Sequence, residues 1–399
     1  MIVYYVSAHG YGHGVRSCEV LSAIRRSAPD EDLTVVSALP GSFLSARLPT
    51  PLEGGTALGH RRARQREARS GDETSLRVGG SLADGAILHR SVALDVGMVQ
   101  RDSVRLDVDG TLRALAQLVD SWDRLVDEEA RALDAVGASV VVCDIPGVPI
   151  EAAVRSGRPS IAIGNFSWNW IYEPYAEADT RWRPAVDRFV HAYGLTDLLL
   201  RLPFSEPMRA FPVQELLPLS SEPGVNRRGE LSALTGADPD LRWVLLSFTT
   251  LEWDEAALDR VSALADLEFF TVLPLAWNRP RFHSVSPTTL SFRDVLASCD
   301  AVVSKPGYGI VSECIVNRKP LVHAERTGFQ EYPILRGAIE THLPQVFLPE
   351  ADLYSGELGC ALARLWSAPD PGKVMETGGA EIAATRILER IGTQGGSRG

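Results

Sequence analysis

The chain has 399 residues, of which 45% are hydrophobic and 23% are charged, and its formal net charge is −11 at pH 7. A single core seldom grows beyond about 250–300 residues, so this composition predicts a globular protein with two domains. The acidic balance excludes general binding to nucleic acid, which requires a cationic surface. Five scattered cysteines without metal-type spacing, the absence of a long apolar run and a first segment unlike a signal peptide predict a cytoplasmic location without a transmembrane segment.

The N-terminal half alternates short apolar segments with helical patterns. Residues 2–8 predict a first strand, and residues 15–26 predict a helix with apolar positions three to four residues apart. A second strand is predicted at 33–38, a long amphipathic helix at 110–137 and a fully apolar strand at 138–144. Such apolar strands are typical of a parallel sheet that is buried on both faces.

A stretch that is rich in glycine, arginine and serine interrupts this alternation at residues 50–90 and predicts long loops. Within it, residues 60–69 (HRRARQREAR) contain five arginines. We favour a solvated helix face or mobile loop here over a surface for an anionic acceptor or membrane headgroups.

Five prolines between residues 203 and 228 predict a linker, which we place at 206–228. After the linker the alternation restarts, with strands predicted at 242–248, 268–274, 301–305 and 320–325. Strand–helix alternation on both sides of a linker predicts an α/β protein with two doubly wound, Rossmann-like domains facing across a cleft.

The predicted limits of these parts follow from the linker. The N-terminal, acceptor-side domain is expected at 1–205 and the C-terminal, donor-binding domain at 229–392. We allow for the last helix packing back on the N-terminal domain. The tail at 393–399 is expected to be disordered.

The segment HGYGHG, residues 9–14, joins the first strand to the first helix. Its glycine spacing differs from the dinucleotide-binding fingerprint, and no Gly-Lys-Ser/Thr of a phosphate-binding loop follows. Two interpretations stay open: a tight turn alone, or a turn that places His13 at the strand edge as a general base. Asp144 ends a later strand and is expected on the same edge, where it either orients His13 or caps the next helix.

A second group of polar residues follows the predicted strand at 301–305. Gly307 and Gly309 lead into a helix whose first N–H groups are suited to binding a diphosphate. Glu313, one turn further along, is suited to accept hydrogen bonds from two ribose hydroxyls. Gln330 and Glu331 follow the next strand, where sugar hydroxyls would be recognised.

Two other segments are weaker candidates for a functional site. Residues 165–175 (NFSWNWIYEPY) are aromatic, and the choice between a core plug and a stacking wall for an acceptor sugar is even. Residues 107–109 (DVD) match a metal-binding Asp-x-Asp pattern but precede Gly110, so a turn and helix cap explains them better and no metal is expected.

Together these segments resemble the nucleotide-sugar-dependent glycosyltransferases of the GT-B architecture. The closest resemblance is to the glycosyltransferase-like N-terminal half of plant L-arabinokinases and related bacterial proteins. Four segments carry it over roughly residues 1–390: YYVSAHGYGHGVRSCEV, ALDVGMVQRDSVRLD, IGNFSWNWIYEPY and KPGYGIVSE. Two positions depart from the usual donor motif: Lys305 stands in place of a histidine, and Pro306 removes a backbone donor.

The resemblance implies a hexosyl- or pentosyltransferase that moves a sugar from a nucleoside-diphosphate sugar, such as a UDP-sugar, to a hydroxyl or similar nucleophile of a small-molecule or glycan acceptor. Inversion with His13 as base and Asp144 as its orienting carboxylate is favoured, and neither a metal nor another cofactor is expected. A nucleotide-sugar hydrolase or epimerase, and a non-catalytic nucleotide-sugar-binding protein, stay open as alternatives, as does a homodimer.

The site residues fall into two further sets. The donor-binding set is Ser247, Thr249, Lys305, Gly307, Tyr308, Gly309, Ser312, Glu313, Gln330 and Glu331. The acceptor-side set is His9, Gly12, Trp168, Trp170 and Glu173.

Overall fold

The structure is a computed structural model that describes residues 1–48, 52–54, 87–100, 105–326 and 328–395. The chain divides into two compact units. Unit 1 comprises Met1–Gly97, Asp109–Ser220 and Gly379–Gly399, and unit 2 comprises Met98–Val108 and Ser221–Gly378. The basic stretch at 60–69 lies outside the described residues, as does most of the region predicted to form long loops at 50–90.

The helices alternate with strands along both units. In chain order they are α1 (Tyr11–Ser27), α2 (Gly41–Arg47), α3 (Val108–Val136), α4 (Val148–Arg155), α5 (Trp168–Ala178), α6 (Arg183–Gly194), α7 (Arg228–Thr235), α8 (Glu255–Ser262), α9 (Phe292–Ser298), α10 (Tyr308–Val316), α11 (Tyr332–His342), α12 (Glu350–Tyr354), α13 (Gly359–Leu365) and α14 (Gly379–Gly395). A 3-10 turn at Thr180–Trp182 precedes α6.

Unit 1 contains a parallel sheet whose described strands are ordered β3-β4-β2-β1-β5-β6-β7-β8. These strands are β1 (Ile2–Val6), β2 (Leu33–Val36), β3 (Leu52–Gly54), β4 (Ile87–Arg90), β5 (Val140–Asp144), β6 (Ser160–Gly164), β7 (Leu198–Arg201) and β8 (Gln214–Leu216). Every residue of the neighbouring strands β1 and β5 is buried. Apart from Asp144 at the end of β5, their residues are hydrophobic, which matches a sheet that is covered on both faces.

Unit 2 contains a second parallel sheet, with its described strands ordered β11-β10-β9-β12-β13-β14. These strands are β9 (Arg242–Ser247), β10 (Leu267–Val272), β11 (Phe282–Val285), β12 (Ala301–Ser304), β13 (Leu321–Ala324) and β14 (Gln345–Leu348). The register pairs Ser304 at the end of β12 with Ser247 at the end of β9. The segments that follow these two strands therefore leave the sheet at the same edge.

Helix α1 begins at Tyr11, four residues earlier than the sequence pattern predicts. The turn out of β1 is completed by Gly10, whose φ of 78° lies in the left-handed region that glycine adopts without strain. Gly12, His13 and Gly14 consequently belong to the first turn of the helix and not to a preceding loop. A side chain at position 14 would lie 2.4 Å from the Phe43 ring, so close packing explains that glycine.

The limits of the two units differ from the predicted limits of the two domains and their linker. The predicted linker at 206–228 contains the edge strand β8, and the change of unit falls between Ser220 and Ser221. Residues Met98–Val108 belong to unit 2, where Lys305 donates to the side chain of Gln100 at 3.3 Å.

The C-terminal helix α14 belongs to unit 1 and packs against α1. Its residue Arg386 donates to Glu215 on β8 at 2.9 Å, and Arg26 of α1 bonds Glu381 at 2.5 Å. Of the tail predicted to be disordered, residues 393–395 are the end of this helix and residues 396–399 lie outside the described part.

Two left-handed glycines of unit 2 provide a matched test of the packing. Gly356 has φ of 74°, and a Cβ there would lie 2.7 Å from the backbone oxygen of Ala257. Gly372 has φ of 66° and no atom within 4 Å of such a Cβ among the described residues. We expect Gly372→Ala to cost about 1–2 kcal/mol of unfolding free energy from backbone strain.

Gly356→Ala should lower the unfolding free energy by about 1–3 kcal/mol more than Gly372→Ala does, because the Ala257 carbonyl group cannot move away from the new Cβ unless α8 moves with it. Urea denaturation of the two variants would measure this difference. Equal losses for the two variants would contradict the packing of α8 against the loop after α12.

Candidate functional site

The carboxyl ends of β1 and β5 bring the two predicted catalytic residues together. Val6 pairs with Asp144 in the register of these strands, and α1 follows β1 after four residues. His13 Nδ1 lies 2.7 Å from Asp144 Oδ1. The His13 side chain is 5% exposed and that of Asp144 is fully buried, so water competes little for this contact. The expected convergence of a histidine and a carboxylate at this edge is therefore present.

The Asp144 carboxylate accepts three further hydrogen bonds that the sequence did not predict. Arg16 donates through Nε to Oδ2 at 2.6 Å and through Nη2 to Oδ1 at 2.5 Å. Ser17 donates to Oδ2 at 2.9 Å. With His13, both carboxylate oxygens each receive two donors, which is their usual capacity.

This environment fixes the ionisation of Asp144. Burial raises the pKa of the carboxyl group, but the charges and hydrogen bonds of Arg16 and His13 lower it by more, to about 2. Asp144 is therefore ionised near neutral pH. A carboxylate in this state accepts hydrogen bonds and donates none.

The donor and acceptor roles at His13 follow from that ionisation. Because Asp144 only accepts, Nδ1 of His13 carries the hydrogen in their shared bond, and in the neutral ring Nε2 is left as the proton acceptor. Arg16 Nη2 lies 2.9 Å from Nδ1. Two donors face each other there, so this contact is the close approach of a cation to the ring and not a second hydrogen bond.

A second carboxyl group, Asp95, lies in the same neighbourhood. The indole N–H of Trp168 donates to Asp95 Oδ2 at 2.8 Å. Burial raises the pKa of Asp95, and hydrogen bonds from Ser7 and Trp168 together with the charge of His13 offset only part of that rise. Asp95 is within a sequence segment that carries the family resemblance, but no role was predicted for it.

The predicted acceptor-side residues are placed differently from one another. Trp168 is fully buried and stacks on Tyr172 with ring centroids 5.7 Å apart. A buried ring cannot stack on a sugar, so the prediction of Trp168 as a stacking wall is not supported and the core-plug interpretation fits it. Trp170 is half-buried, and Glu173 forms an ion pair with Arg183 at 2.9 Å.

His9 and Gly12 flank the dyad within the same segment. The His9 ring meets the edge of Trp168 at a centroid distance of 5.2 Å. Its other neighbour is Gly97, where a Cβ would lie 1.9 Å from the ring. His9 is thus wedged between a tryptophan and a glycine backbone, and Gly12 is half-buried on the first turn of α1.

In unit 2 the predicted donor-binding turn lies at the edge where β9 and β12 end. The Ser304 hydroxyl donates to the Ser247 carbonyl oxygen at 2.7 Å and ties the two strand ends together. Helix α10 begins at Tyr308, directly after Gly307, which is the N-cap and makes no side-chain cap. No described atom lies within 4 Å of where a Cβ of Gly307 would be. The helix N-terminus therefore lacks the usual side-chain acceptor and is open in front of that glycine.

The remaining donor-binding residues divide by exposure. Tyr308, Gly309, Ser312, Glu313 and Glu331 are buried, Ser247, Lys305, Gly307 and Gln330 are half-buried, and Thr249 is exposed.

Arg326 is a buried cation beside the donor-binding turn that the sequence did not suggest. It donates to the Pro306 carbonyl oxygen at 3.1 Å and lies 3.8 Å from Glu331. Burial lowers its pKa to about 10, and the charge of Glu331 opposes this effect. The arginine therefore connects the turn before α10 to the predicted sugar-recognising pair.

Two further findings concern the described residues only. No group of three or more His, Cys, Asp or Glu side chains in them is placed to hold a metal ion. Asp109 lies in the first turn of α3, where a negative charge favours the helix dipole. No helix in the described ranges has the length and apolar character that crossing a membrane needs.

Solved structures of glycosyltransferases share this fold over nearly the whole chain. UGT89C1 of Arabidopsis thaliana, solved with quercetin, is 14% identical, with a TM-score of 0.56 over 100% of this chain and 95% of that one. The glycosyltransferase of kitacinnamycin is also 14% identical, with a TM-score of 0.54 over 99% and 96%. CalG4, the calicheamicin glycosyltransferase, is 16% identical, with a TM-score of 0.51 over 99% and 95%. The predicted α/β class with two parallel sheets is confirmed, and the fold is that of the GT-B glycosyltransferases.

The sequence resemblance is confirmed as well. L-arabinokinase of Arabidopsis thaliana is 27% identical over 395 residues, which are 98% of this chain and 34% of that protein. The chain thus spans about a third of the length of this curated relative. No protein-family model matches the chain.

The Asp144 site predicts a pH-dependent stability. The pKa of Asp144 is about 2 in the folded chain and about 3.9 when unfolded, so its ionised form stabilises the fold above pH 4 and this contribution is lost as the pH falls toward 2. Asp144→Asn leaves the Arg16 cation buried without its partner, and we expect it to lower the unfolding free energy by about 3–5 kcal/mol at pH 7.

The deficit of Asp144→Asn should shrink between pH 4 and pH 2, where the wild-type carboxylate takes up a proton. Urea titrations across this range would measure it. Asp123→Asn is a matched control because Asp123 forms an exposed pair with Arg188, and its effect should stay within about 1 kcal/mol. A deficit for Asp144→Asn that is the same at pH 7 and pH 2.5 would contradict the assigned ionisation.

Proposed function

We propose that the protein is a nucleotide-sugar-dependent glycosyltransferase that inverts the anomeric centre and uses His13 as its general base. The observation that carries this proposal is the 2.7 Å contact between His13 Nδ1 and the buried carboxylate of Asp144. That contact fixes the tautomer in which Nε2 accepts a proton, as general base catalysis requires. The shared fold and the similarity to L-arabinokinase support sugar chemistry over the many other reactions of histidine–carboxylate pairs.

In the proposed reaction, His13 Nε2 removes the proton of an acceptor hydroxyl while its oxygen attacks the anomeric carbon. The bond between that carbon and the diphosphate oxygen breaks, and the nucleoside diphosphate leaves with the electron pair. Asp144 holds the ring orientation through Nδ1. The acceptor is a small molecule or a glycan with a free hydroxyl or a similar nucleophile.

We assign the donor to unit 2. The open N-terminus of α10 would bind the diphosphate through its first N–H groups, because their partial positive charge favours an anion. Lys305 adds a charge next to that turn, and Glu313, one turn into the helix, would accept hydrogen bonds from the ribose. Helix dipole and lysine together would stabilise the leaving diphosphate, so the proposal requires neither a metal ion nor another cofactor.

Replacement of the base tests the chemistry. We expect His13→Ala to lower the transfer rate by about two to four orders of magnitude, because that is the usual contribution of a general base. Release of nucleoside diphosphate and formation of glycosylated acceptor would both be measured, with a panel of donors and acceptors. His191→Ala is the matched control, since His191 is exposed on α6 of the same unit.

A His13→Ala variant that keeps nearly full transfer would contradict the role of this histidine. Free sugar formed at the wild-type rate without any acceptor would favour a nucleotide-sugar hydrolase, and an isomerised donor would favour an epimerase.

The donor site has a separate test by ligand-induced stabilisation. A nucleotide sugar that binds the folded chain raises its melting temperature, and a panel of UDP-, dTDP-, GDP- and ADP-sugars would identify the donor. Glu313→Gln should then weaken that donor by about tenfold or more, because hydrogen bonds to a charged group contribute about 1.5–3 kcal/mol.

Glu340→Gln serves as the control, since Glu340 is exposed and pairs with Arg336 on α11. Equal donor affinity for wild type and Glu313→Gln would contradict the ribose assignment. No stabilisation by any of the four donors would contradict donor binding itself.

A further inference from the structure

The His13–Asp144 pair differs from an isolated histidine–carboxylate dyad in having a third charged partner. Arg16 is 2% exposed, and its guanidinium contacts both oxygens of Asp144. Its remaining nitrogen, Nη1, donates to Asn165 Oδ1 at 2.5 Å. One side chain thus fixes the carboxylate against a residue that follows β6.

We propose that Arg16 is a positioning residue of this site that holds the Asp144 carboxylate in place and offsets its negative charge beside the His13 ring. The inference rests on the proposed function, in which His13 is the base. It goes beyond that function because it assigns a residue that sets how strong the base is.

The electrostatic reasoning is direct. A carboxylate on its own favours the imidazolium form of a neighbouring histidine, because opposite charges attract. Here the positive charge of Arg16 offsets the negative charge of Asp144, and Arg16 Nη2 approaches His13 Nδ1 to 2.9 Å. In a site this buried, screening by water is weak and both effects are large. The result is a base that is oriented by Asp144 but receives little of its negative charge.

The other groups near His13 do not reverse this balance. Asp95 interacts with His13 from the segment before α3, but burial raises the pKa of Asp95, which favours its uncharged form. The remaining neighbours are the rings of Phe166 and Trp168, with centroids 5.5 Å and 6.0 Å from that of His13. His9 also contacts the Trp168 ring. Of the charged side chains in the described part of this site, Asp144 and Arg16 are those in direct contact with the ring.

The test measures the titration of His13 in the free protein. Histidine side chains labelled with nitrogen-15 are followed by NMR across pH, and His13 is assigned by its absence in His13→Gln. We expect Arg16→Met to move the His13 midpoint up by about one unit or more, because removing a nearby cation favours the protonated ring. Arg16→Lys keeps the charge and should leave the midpoint near that of the wild type.

Two further variants separate electrostatics from folding. Arg16→Met leaves the buried Asp144 carboxylate without its arginine cation and therefore risks instability. The double variant Arg16→Met/Asp144→Asn removes both charges, and its midpoint should return close to the wild-type value. Arg25→Met is the matched control, since Arg25 is also buried on α1 but bonds the backbone oxygens of Pro29 and Glu31.

In the enzyme assay the acid limb of the rate profile of Arg16→Met should move to higher pH by the same amount, whereas Arg16→Lys should lose rate without that movement. A folded Arg16→Met protein whose His13 midpoint is unchanged or lower would overturn the inference. The NMR result does not depend on transfer. A shifted midpoint together with full activity of His13→Ala would therefore refute the proposed function and leave the role of Arg16 intact.

Discussion

The buried negative charge of Asp144 is the constraint on which the first unit depends. A carboxylate without water is costly unless donors surround it. Asp144 ends β5, and the donors are three side chains of α1. Those side chains, His13, Arg16 and Ser17, are spaced three and four residues apart and so share one helix face. The same contacts that satisfy the charge set the orientation of α1 over the sheet and the direction of the His13 ring. Stability and the proposed chemistry thus depend on the same four hydrogen bonds.

The second unit has the same kind of fold, but its proposed binding site is a helix N-terminus instead of a buried charge. Its strand-edge turn before α10 has a glycine as N-cap, and that residue supplies no side-chain cap to the helix. A helix start without a side-chain cap is less stable than a capped one. The same N–H groups can bind an anion where one is present. Arg326 stabilises this turn by donating a hydrogen bond to the Pro306 carbonyl oxygen. One unit therefore has a buried charge surrounded by donors and the other a helix whose glycine N-cap supplies no side chain, which matches the division of roles that we propose.

Much of this could be predicted from the sequence, and the failures have physical causes. Parallel strands end at a common edge, so the meeting of His13 with Asp144 followed from two apolar strands and the polar residues after them. Arg16 and Ser17 were missed because the helix was expected to begin at 15; a start at Tyr11 would have placed both on the face of His13. The two tryptophans at 168 and 170 looked alike in sequence, but only the structure separates a buried ring from a half-buried one. The strand β8 was missed because three residues among prolines carry almost no periodicity.

Helix α14 has a consequence for how the protein is made. It packs against α1, which carries His13, yet it comes after the whole of Ser221–Gly378 in the sequence. All of Ser221–Gly378, and with it nearly the whole of the other unit, leaves the ribosome before this helix can dock. The first unit therefore stays incomplete while the second is able to fold around its own core. This differs from the usual order, in which domains nearer the N-terminus fold first during synthesis. Until α14 docks, α1 lacks that packing surface, so the first unit can be completed only after Ser221–Gly378 has been synthesised.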